Sequence, residues 1–237
     1  MITLLLALQA TTWPVHSMDR PRPPVVTPAS AGAPVPAPSD ALVLFDGTAL
    51  DGWRQANGQP AGWVVRDGYV EVVAGTGSIA TRAVFGDVQL HIEWMAPTEE
   101  RDGQNFGNSG VFLMGLYELQ VLNSHGNDTY PDGQAGAIYG QYPPMVNASR
   151  PAGEWQTYDI IFRAPRFHAD GTVADSAVMT VFHNGVLVHD AVRLKGATAH
   201  RREAAYALHP PRGPIMLQDH GERVRFRNIW VRELPSN

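Results

Sequence analysis

The chain has 237 residues, a formal net charge of -5 and no cysteine, with 23 glycines, 19 prolines and only 17% charged residues. This length suits one large domain, and the composition favours many short strands joined by turns over long surface helices. The absence of cysteine excludes a disulfide framework, a thiolate nucleophile and a zinc ribbon. The negative charge leaves no basic footprint for nucleic acid, which is therefore excluded as a partner.

Residues 1–19 predict a signal peptide. Residues 1–10 form an apolar run whose length suits the core of such a peptide and is too short to span a membrane. We therefore expect a periplasmic or secreted protein. No Lys or Arg precedes the run, so a start at Met18, without a signal, is the alternative. No later segment approaches the length of a membrane-spanning helix.

Residues 20–40 are dominated by Pro, Ala and Val. This composition favours an extended, solvated chain, so we expect a linker here. The folded domain is then expected to occupy residues 41–235, with no second linker and no internal repeat.

Short runs of alternating apolar and polar residues recur through this domain and predict an all-β sandwich or barrel. The predicted strands lie near residues 63–66, 69–73, 78–81, 87–95, 110–114, 116–122, 155–163, 176–183, 186–190, 214–219 and 224–233. The pairs Asp67-Gly68 and Asn184-Gly185 predict two-residue hairpin turns, because these residue types tolerate positive φ. Residues 198–207 are compatible with one or two helical turns.

Two long polar segments rich in Gly and Pro, residues 97–108 and 123–153, are predicted as loops. The second mixes tyrosines, Tyr139 among them, with short polar side chains. Such a mixture suits a sugar, which presents an apolar CH face and a rim of hydroxyls. A packed loop with solvent-facing polar groups explains the composition equally well.

Polar residues share one face of two predicted strands. Side chains alternate along a strand, so Glu118 and Gln120 face one way, and Gln218 and His220 do the same on a later strand. We call these four residues the polar stripe. Arg227 lies on one face of the last predicted strand.

The polar stripe has two interpretations. Outward-facing polar residues are ordinary on a half-solvated sheet. However, this stripe combines amides with one carboxylate and one imidazole, a set typical of a site. If their strands are neighbours, Glu118 and His220 provide an acid/base pair or half of a metal site.

Several motifs in order along the chain resemble the hallmarks of the 3-keto-disaccharide hydrolase family. The opening LFDGTALDGW stretch, residues 44–53, is similar to that family's N-terminal signature. The other similar segments are residues 107–111, 117–120, 136–140, 153–155, 184–185, 213–221 and 224–229. The resemblance spans residues 42–234, and the number and order of the motifs carry it.

The resemblance implies a concanavalin A-like jelly-roll sandwich of two antiparallel sheets. It also implies glycosides oxidised at the ring 3-hydroxyl as substrates, cleaved by acid/base elimination with subsequent addition of water. Such a reaction needs a base, an electrophile at the ketone oxygen and a proton donor for the leaving group.

Roles follow from this chemistry and the motif match. Either Glu118 or His220 is expected to be the base, and both are candidate ligands of a divalent cation. Arg227 or such a cation would stabilise the enolate. The expected hydroxyl-binding residues are Asn108, Gln120, Gln218 and Tyr139.

Two other functions stay open. The same sandwich serves non-catalytic carbohydrate-binding modules, because fold does not settle function. An ordinary endo-glucanase is the second alternative, but it needs two facing carboxylates. Glu118 has no second acid two or four residues away on its strand, which counts against this alternative. A glycoside or oligosaccharide is the expected partner in each case, and the sequence leaves the oligomeric state open.

Overall fold

A computed structural model describes residues 13–235. Among these residues the regular structure is almost entirely β, with two short 3-10 turns at Gly103–Asn105 and Pro131–Gly133 and no α-helix. In this range no helix has the length and hydropathy needed to cross a bilayer. The strands are β1 (Leu42–Phe45), β2 (Trp53–Gln55), β3 (Val64–Arg66), β4 (Tyr69–Glu71), β5 (Ile79–Thr81), β6 (Val88–Met95), β7 (Ser109–Leu113), β8 (Tyr117–Val121), β9 (Gln156–Arg163), β10 (Arg166–Phe167), β11 (Val173–Asp175), β12 (Val178–His183), β13 (Val186–Arg193), β14 (Met216–Leu217) and β15 (Arg225–Glu233).

Apart from β10 and β11, which pair only with each other, the strands form two antiparallel sheets that face each other. The larger sheet has eight strands in the order β13-β12-β9-β6-β15-β4-β3, with β1 also pairing with β15, and the smaller has the order β2-β5-β14-β7-β8. The ring of Tyr117 on β8 lies 5.5 Å from that of Phe162 on β9, across the interface between the sheets. This arrangement confirms the predicted all-β jelly-roll sandwich.

Each predicted strand has a counterpart in the structure. Both hairpin turns are also confirmed, with positive φ at Asp67 (49°), Gly68 (79°), Asn184 (53°) and Gly185 (78°). Four strands were not predicted, β1, β2, β10 and β11, and each is only two to four residues long. Runs this short cannot show a period-2 pattern.

The helical turns considered for residues 198–207 are absent. This segment is irregular, with Ala197 and Ala205 joined by an isolated bridge and with Arg201 at a φ of 53°. Thr198 accounts for the conformation, because its N–H donates to the Leu116 carbonyl (2.9 Å) and its hydroxyl accepts the N–H of Glu118 (3.0 Å). Tertiary hydrogen bonds thus override the weak local preference for a helix.

Residues 13–40, which we call the N-terminal strap, lie against the domain. The structure corrects the expectation that residues 20–40 are a solvated linker, although the segment is extended. Val26 donates to the Asn147 carbonyl (2.9 Å), Arg150 donates to the Ala29 carbonyl (2.8 Å), and the Asn228 side chain donates to Val35 (2.8 Å). An extended chain leaves its carbonyls without local partners, so donors of the domain bind them.

The predicted signal peptide, residues 1–19, lies partly outside the described residues, which begin at residue 13. Residues 13–19 continue the strap. Export from the cytoplasm therefore stays a prediction.

Candidate functional site

Three neighbouring strands of the smaller sheet bring the polar stripe together. β7 lies between β8 and β14, with Gly110 opposite Gln120 on one side and hydrogen-bonded to Gln218 N–H on the other (3.1 Å). In the next row Phe112 lies opposite Glu118. The core side of β8 carries buried apolar residues, so these polar side chains point from the outer face of the sheet.

Gly110 makes room for the carboxyl group of Glu118. A Cβ atom added at Gly110 would lie 2.8 Å from Cε2 of Phe112 and 3.1 Å from Cδ of Glu118, and closer still to Oε1 of Glu118. Real Cβ atoms do not tolerate such contacts, so this position requires glycine. Glycine within a strand often marks such a close approach.

A pocket of about 270 Å³ opens above these strands. The residues that line it are Asn108, Phe112, Glu118, Gln120, Tyr139, Thr198, His200, Gln218 and His220. All four residues of the polar stripe are among them, together with both other residues predicted to bind hydroxyls, Asn108 and Tyr139. Glu118 and Gln120 are buried, Gln218 is half-buried and His220 is exposed, so the stripe lines a pocket that is open at one end.

Tyr139 reaches the pocket because the 123–153 loop extends the sheet beyond β8. Ile138 forms an isolated bridge with Leu119, Gln120 donates to the Ala137 carbonyl (3.0 Å), and Tyr139 donates to the Glu118 carbonyl (3.3 Å). The 123–153 loop thus covers the edge of β8, and its Tyr139 lines the same pocket as the carboxyl group of Glu118.

His200 was not predicted as a site residue. The hydrogen bonds of Thr198 to β8 bring it to the pocket, where Nδ1 of His200 lies 3.0 Å from the hydroxyl of Tyr139. That hydroxyl lies 3.0 Å from the hydroxyl of Tyr130, which completes a hydrogen-bonded chain of three side chains. No motif in the sequence marks His200, because it lies in an irregular segment far from β8 in the chain.

Glu118 is a buried carboxyl group. The residue is 4% exposed, and no side chain or backbone group among residues 13–235 donates a hydrogen bond to its carboxyl oxygens. Burial disfavours the charged form and raises the pKa of Glu118 to about 8. Glu118 can therefore gain and lose its proton near neutral pH, and its carboxylate is a stronger base than that of an ordinary glutamate.

The side-chain amides beside Glu118 are oriented by hydrogen bonds, but not all of their hydrogen-bonding groups have partners. Gln120 donates from Nε2 to Oδ1 of Asn108 (3.2 Å), and Asn108 donates from Nδ2 to the carbonyl of Gln104 (2.8 Å). Within the described range, Oε1 of Gln218 is buried without a hydrogen-bond partner. An orphaned buried acceptor is costly, so a ligand hydroxyl that donated to it would gain a hydrogen bond at little further desolvation cost.

His220 lies at the exposed rim of the pocket, while Glu118 lies at its base. The two side chains line one pocket, as an acid/base pair requires. No group of three or more His, Asp or Glu residues within residues 13–235 is arranged to hold a metal ion. Within this range, Glu118 and His220, the two candidate cation ligands, therefore have no third ligand of these types beside them.

Arg227 does not lie in this pocket, which corrects its predicted role. It belongs to β15 in the larger sheet, where its Nε donates to Oε2 of Glu93 (2.6 Å) and its guanidinium lies 4.0 Å from the Trp155 ring centroid. Alternation along a strand gives the face on which a residue lies but not the sheet to which the strand belongs.

A larger cleft, about 1000 Å³, lies between the segments 98–103 and 123–128. Its lining shares no residue with the polar stripe, and many of its side chains are exposed loop residues. Volume alone thus does not identify the site. The smaller pocket is the candidate because it holds the buried carboxyl group and the unsatisfied amide oxygen.

Relatives with solved structures share this fold. A candidate glycosyl hydrolase from Parabacteroides distasonis is 45% identical, covers 90% of this chain and 93% of its own, and superimposes with a TM-score of 0.82. Another candidate glycosyl hydrolase from the same organism is 23% identical, with coverages of 82% and 99% and a TM-score of 0.60, which shows the fold alone.

Sequence comparisons point the same way. A curated 3-keto-disaccharide hydrolase from Bacteroides thetaiotaomicron is 24% identical over 81% of this chain and 78% of its own length. The model of the 3-keto-alpha-glucoside-1,2-lyase-like domain matches residues 40–232, most of the chain. The chain therefore belongs to the family of 3-keto-alpha-glucoside-1,2-lyase-like domains.

Proposed function

We propose that this protein is a glycoside-cleaving enzyme that acts on sugars carrying a 3-keto group, by elimination followed by addition of water. Family membership and the names of the relatives support action on carbohydrate. The observation that carries the proposal is the environment of Glu118, a single buried carboxyl group with a pKa near 8 among amides and imidazoles.

Glu118 acts as the base in this proposal. Its carboxylate removes the proton from C2, which the neighbouring ketone at C3 acidifies, and the electron pair moves into an enolate. The enolate then re-forms the ketone and expels the glycosidic oxygen from C1, leaving a C1–C2 enone. A base whose pKa lies near the working pH combines basicity with a useful ionised fraction.

His220 donates the proton that the departing oxygen needs. Its place at the rim, with Glu118 at the base of the pocket, lets the two groups act on different atoms of one sugar. Water then adds to C1 of the enone and gives its proton to His220, and protonated Glu118 returns a proton to C2. The net change is cleavage of the glycosidic bond by one water, and the acid and base are both restored.

The enolate oxygen needs hydrogen-bond donors, and Gln120 takes the role expected of Arg227. Gln120 uses one of its two amide hydrogens on Asn108 and has a second to donate. The amide of Gln218 lines the pocket with an unpaired oxygen that suits a sugar hydroxyl. Donors that are fixed before the reaction stabilise developing charge at little reorganisation cost.

The pocket is less suited to ordinary glycoside hydrolysis. Retaining and inverting mechanisms use a pair of carboxyl groups on either side of the bond. Glu118 is the one carboxyl group among the described residues that line this pocket. A purely sugar-binding module has no use for a buried carboxyl group without hydrogen bonds, because its desolvation weakens the fold.

The test compares a 3-keto-glucoside with its unoxidised counterpart and with an unoxidised polysaccharide. We expect release of the aglycone from the 3-keto substrate alone. Binding without release would favour a carbohydrate-binding module, and release from unoxidised polysaccharide would favour an endo-glucanase. Either result would contradict the proposal.

A further inference from the structure

A second pocket of about 680 Å³ adjoins the first. Both pockets are lined by Asn108, Tyr139, His200 and His220, so the mouth of the first pocket is continuous with the second. His220, the proposed donor to the departing oxygen, lies at this junction. The group that leaves from the first pocket would therefore lie in the second.

The N-terminal strap builds part of the second pocket, since Val15 and His16 both line it. The strap is held here by Asp132, a fully buried residue. Asp132 accepts the N–H of His16 (3.1 Å) and lies 3.3 Å from the guanidinium of Arg20. A carboxylate buried beneath a strap is stabilised by both contacts, which fix the position of the strap over the pocket.

The side chain of His16 is positioned as a flat wall. Its ring stacks on Tyr130 at 4.1 Å between centroids with an interplanar angle of 22°, and it lies 5.5 Å from the ring of His200. Gly140 lies beside this ring at a φ of 70°, a backbone conformation that favours glycine. Within residues 13–235, Nε2 of His16 is buried without a hydrogen-bond partner.

We propose that His16 and Tyr130 form the wall of a second sugar subsite, which binds the ring of the leaving group in a 3-keto-disaccharide. This inference rests on the proposed function and names the kind of leaving group that the site takes. Stacked rings match the apolar face of a pyranose, and the unpaired Nε2 matches a hydroxyl. The family match begins at residue 40, so Tyr130 lies within the matched region and His16 lies outside it.

The test measures binding, in proteins that carry Glu118→Gln to prevent turnover. The dissociation constants of a 3-keto-disaccharide and of the methyl 3-keto-glucoside are compared by calorimetry. We expect His16→Ala to raise the constant for the disaccharide about fivefold or more, the effect of losing one stacked ring, and to leave that for the methyl glycoside unchanged. Equal effects on both sugars, or no effect, would overturn the subsite.

Two variants separate stacking from general damage. His16→Phe keeps a flat ring and is expected to retain most of the preference for the disaccharide. Arg20→Ala loosens the strap and should weaken this preference. The control is His168→Ala, which removes an exposed imidazole remote from both pockets. A loss with His168→Ala equal to that with His16→Ala would contradict the inference.

Turnover by the unaltered protein is measured separately. Absence of turnover with selective binding intact would refute the proposed function and leave the subsite standing. Turnover with a nonselective effect of His16→Ala would refute the subsite alone. The subsite requires a mature chain that still contains His16, whereas removal of all of residues 1–19 or a start at Met18 would exclude it. The intact mass of the mature protein is therefore an independent check, and a chain that begins after His16 would overturn the inference.

Discussion

The carboxyl group of Glu118 on β8 occupies the space that a side chain on Gly110 of β7 would fill. This relationship holds the carboxyl group at the base of the pocket, away from water. It explains why the pKa of Glu118 is raised, since burial disfavours its charged form.

Gly110→Ala should abolish turnover by displacing Glu118. The new methyl group would also contact Phe112, and overpacking of this kind costs about 1 to 3 kcal/mol of stability. The measurements are kcat on a 3-keto-glucoside and the urea midpoint. Gly52→Ala is the control, because its Cβ would approach nothing nearer than 3.9 Å. Parental kcat in Gly110→Ala would show that the position of Glu118 is not critical.

The pH dependence of turnover should report the ionisation of Glu118. Only its carboxylate acts as a base, so activity is expected to rise as pH increases towards about 8 and to level off above that value. A nitrophenyl 3-keto-glucoside isolates this step, because its leaving group needs no acid. Glu118→Gln should lower kcat about 100- to 10,000-fold, the usual contribution of general base catalysis. An activity that falls through pH 8 would instead make Glu118 an acid.

His220→Ala should affect substrates according to their leaving groups. We expect about a 100-fold or greater loss of kcat with a 3-keto-disaccharide, whose departing hydroxyl needs a proton. The nitrophenyl glycoside should lose far less, because its phenolate departs unprotonated. Equal losses with both substrates would show that His220 is not the proton donor.

Arg227→Ala should lower the free energy of unfolding and leave kcat unchanged. Its partner Glu93 is buried, with only 3% of its side chain exposed, so removal of the arginine takes away one charged partner and leaves this carboxylate to Asn228 (2.9 Å) and His91 (3.7 Å). The expected loss in free energy of unfolding is about 2 to 4 kcal/mol. Arg212→Ala breaks an exposed pair with Glu233 and should cost less than about 1 kcal/mol. A large loss of kcat in folded Arg227→Ala protein would show that Arg227 takes part in the reaction.

Local patterns in the sequence predicted the strands and the two faces that carry the polar stripe. Alternation placed Glu118 with Gln120 and Gln218 with His220, and the structure adds the pairing of β7 with β8 and β14 that joins them. Pairing of strands far apart in sequence is decided by packing of the whole domain. Arg227 was misplaced for this reason, because a single strand gives no information on its sheet.

The places of His200 and His16 could not be predicted from the sequence for a related reason. His200 and His16 lie in irregular segments, which are positioned by two hydrogen bonds of Thr198 and by the hydrogen bond from the His16 N–H to Asp132. Irregular chain has no periodicity from which direction can be read. The Pro-rich composition of the strap predicted its extended form correctly, but composition does not indicate whether an extended chain docks.

The most direct test of the account uses a 3-keto-glucoside deuterated at C2. If Glu118 removes this hydrogen, cleavage should be slowed by a primary isotope effect, and the sugar product should have lost deuterium to the solvent, beyond the exchange seen without enzyme. The unaltered protein and Glu118→Gln are compared under identical conditions. A sugar product that retains its C2 deuterium, formed at the same rate as from the unlabelled substrate, would contradict elimination.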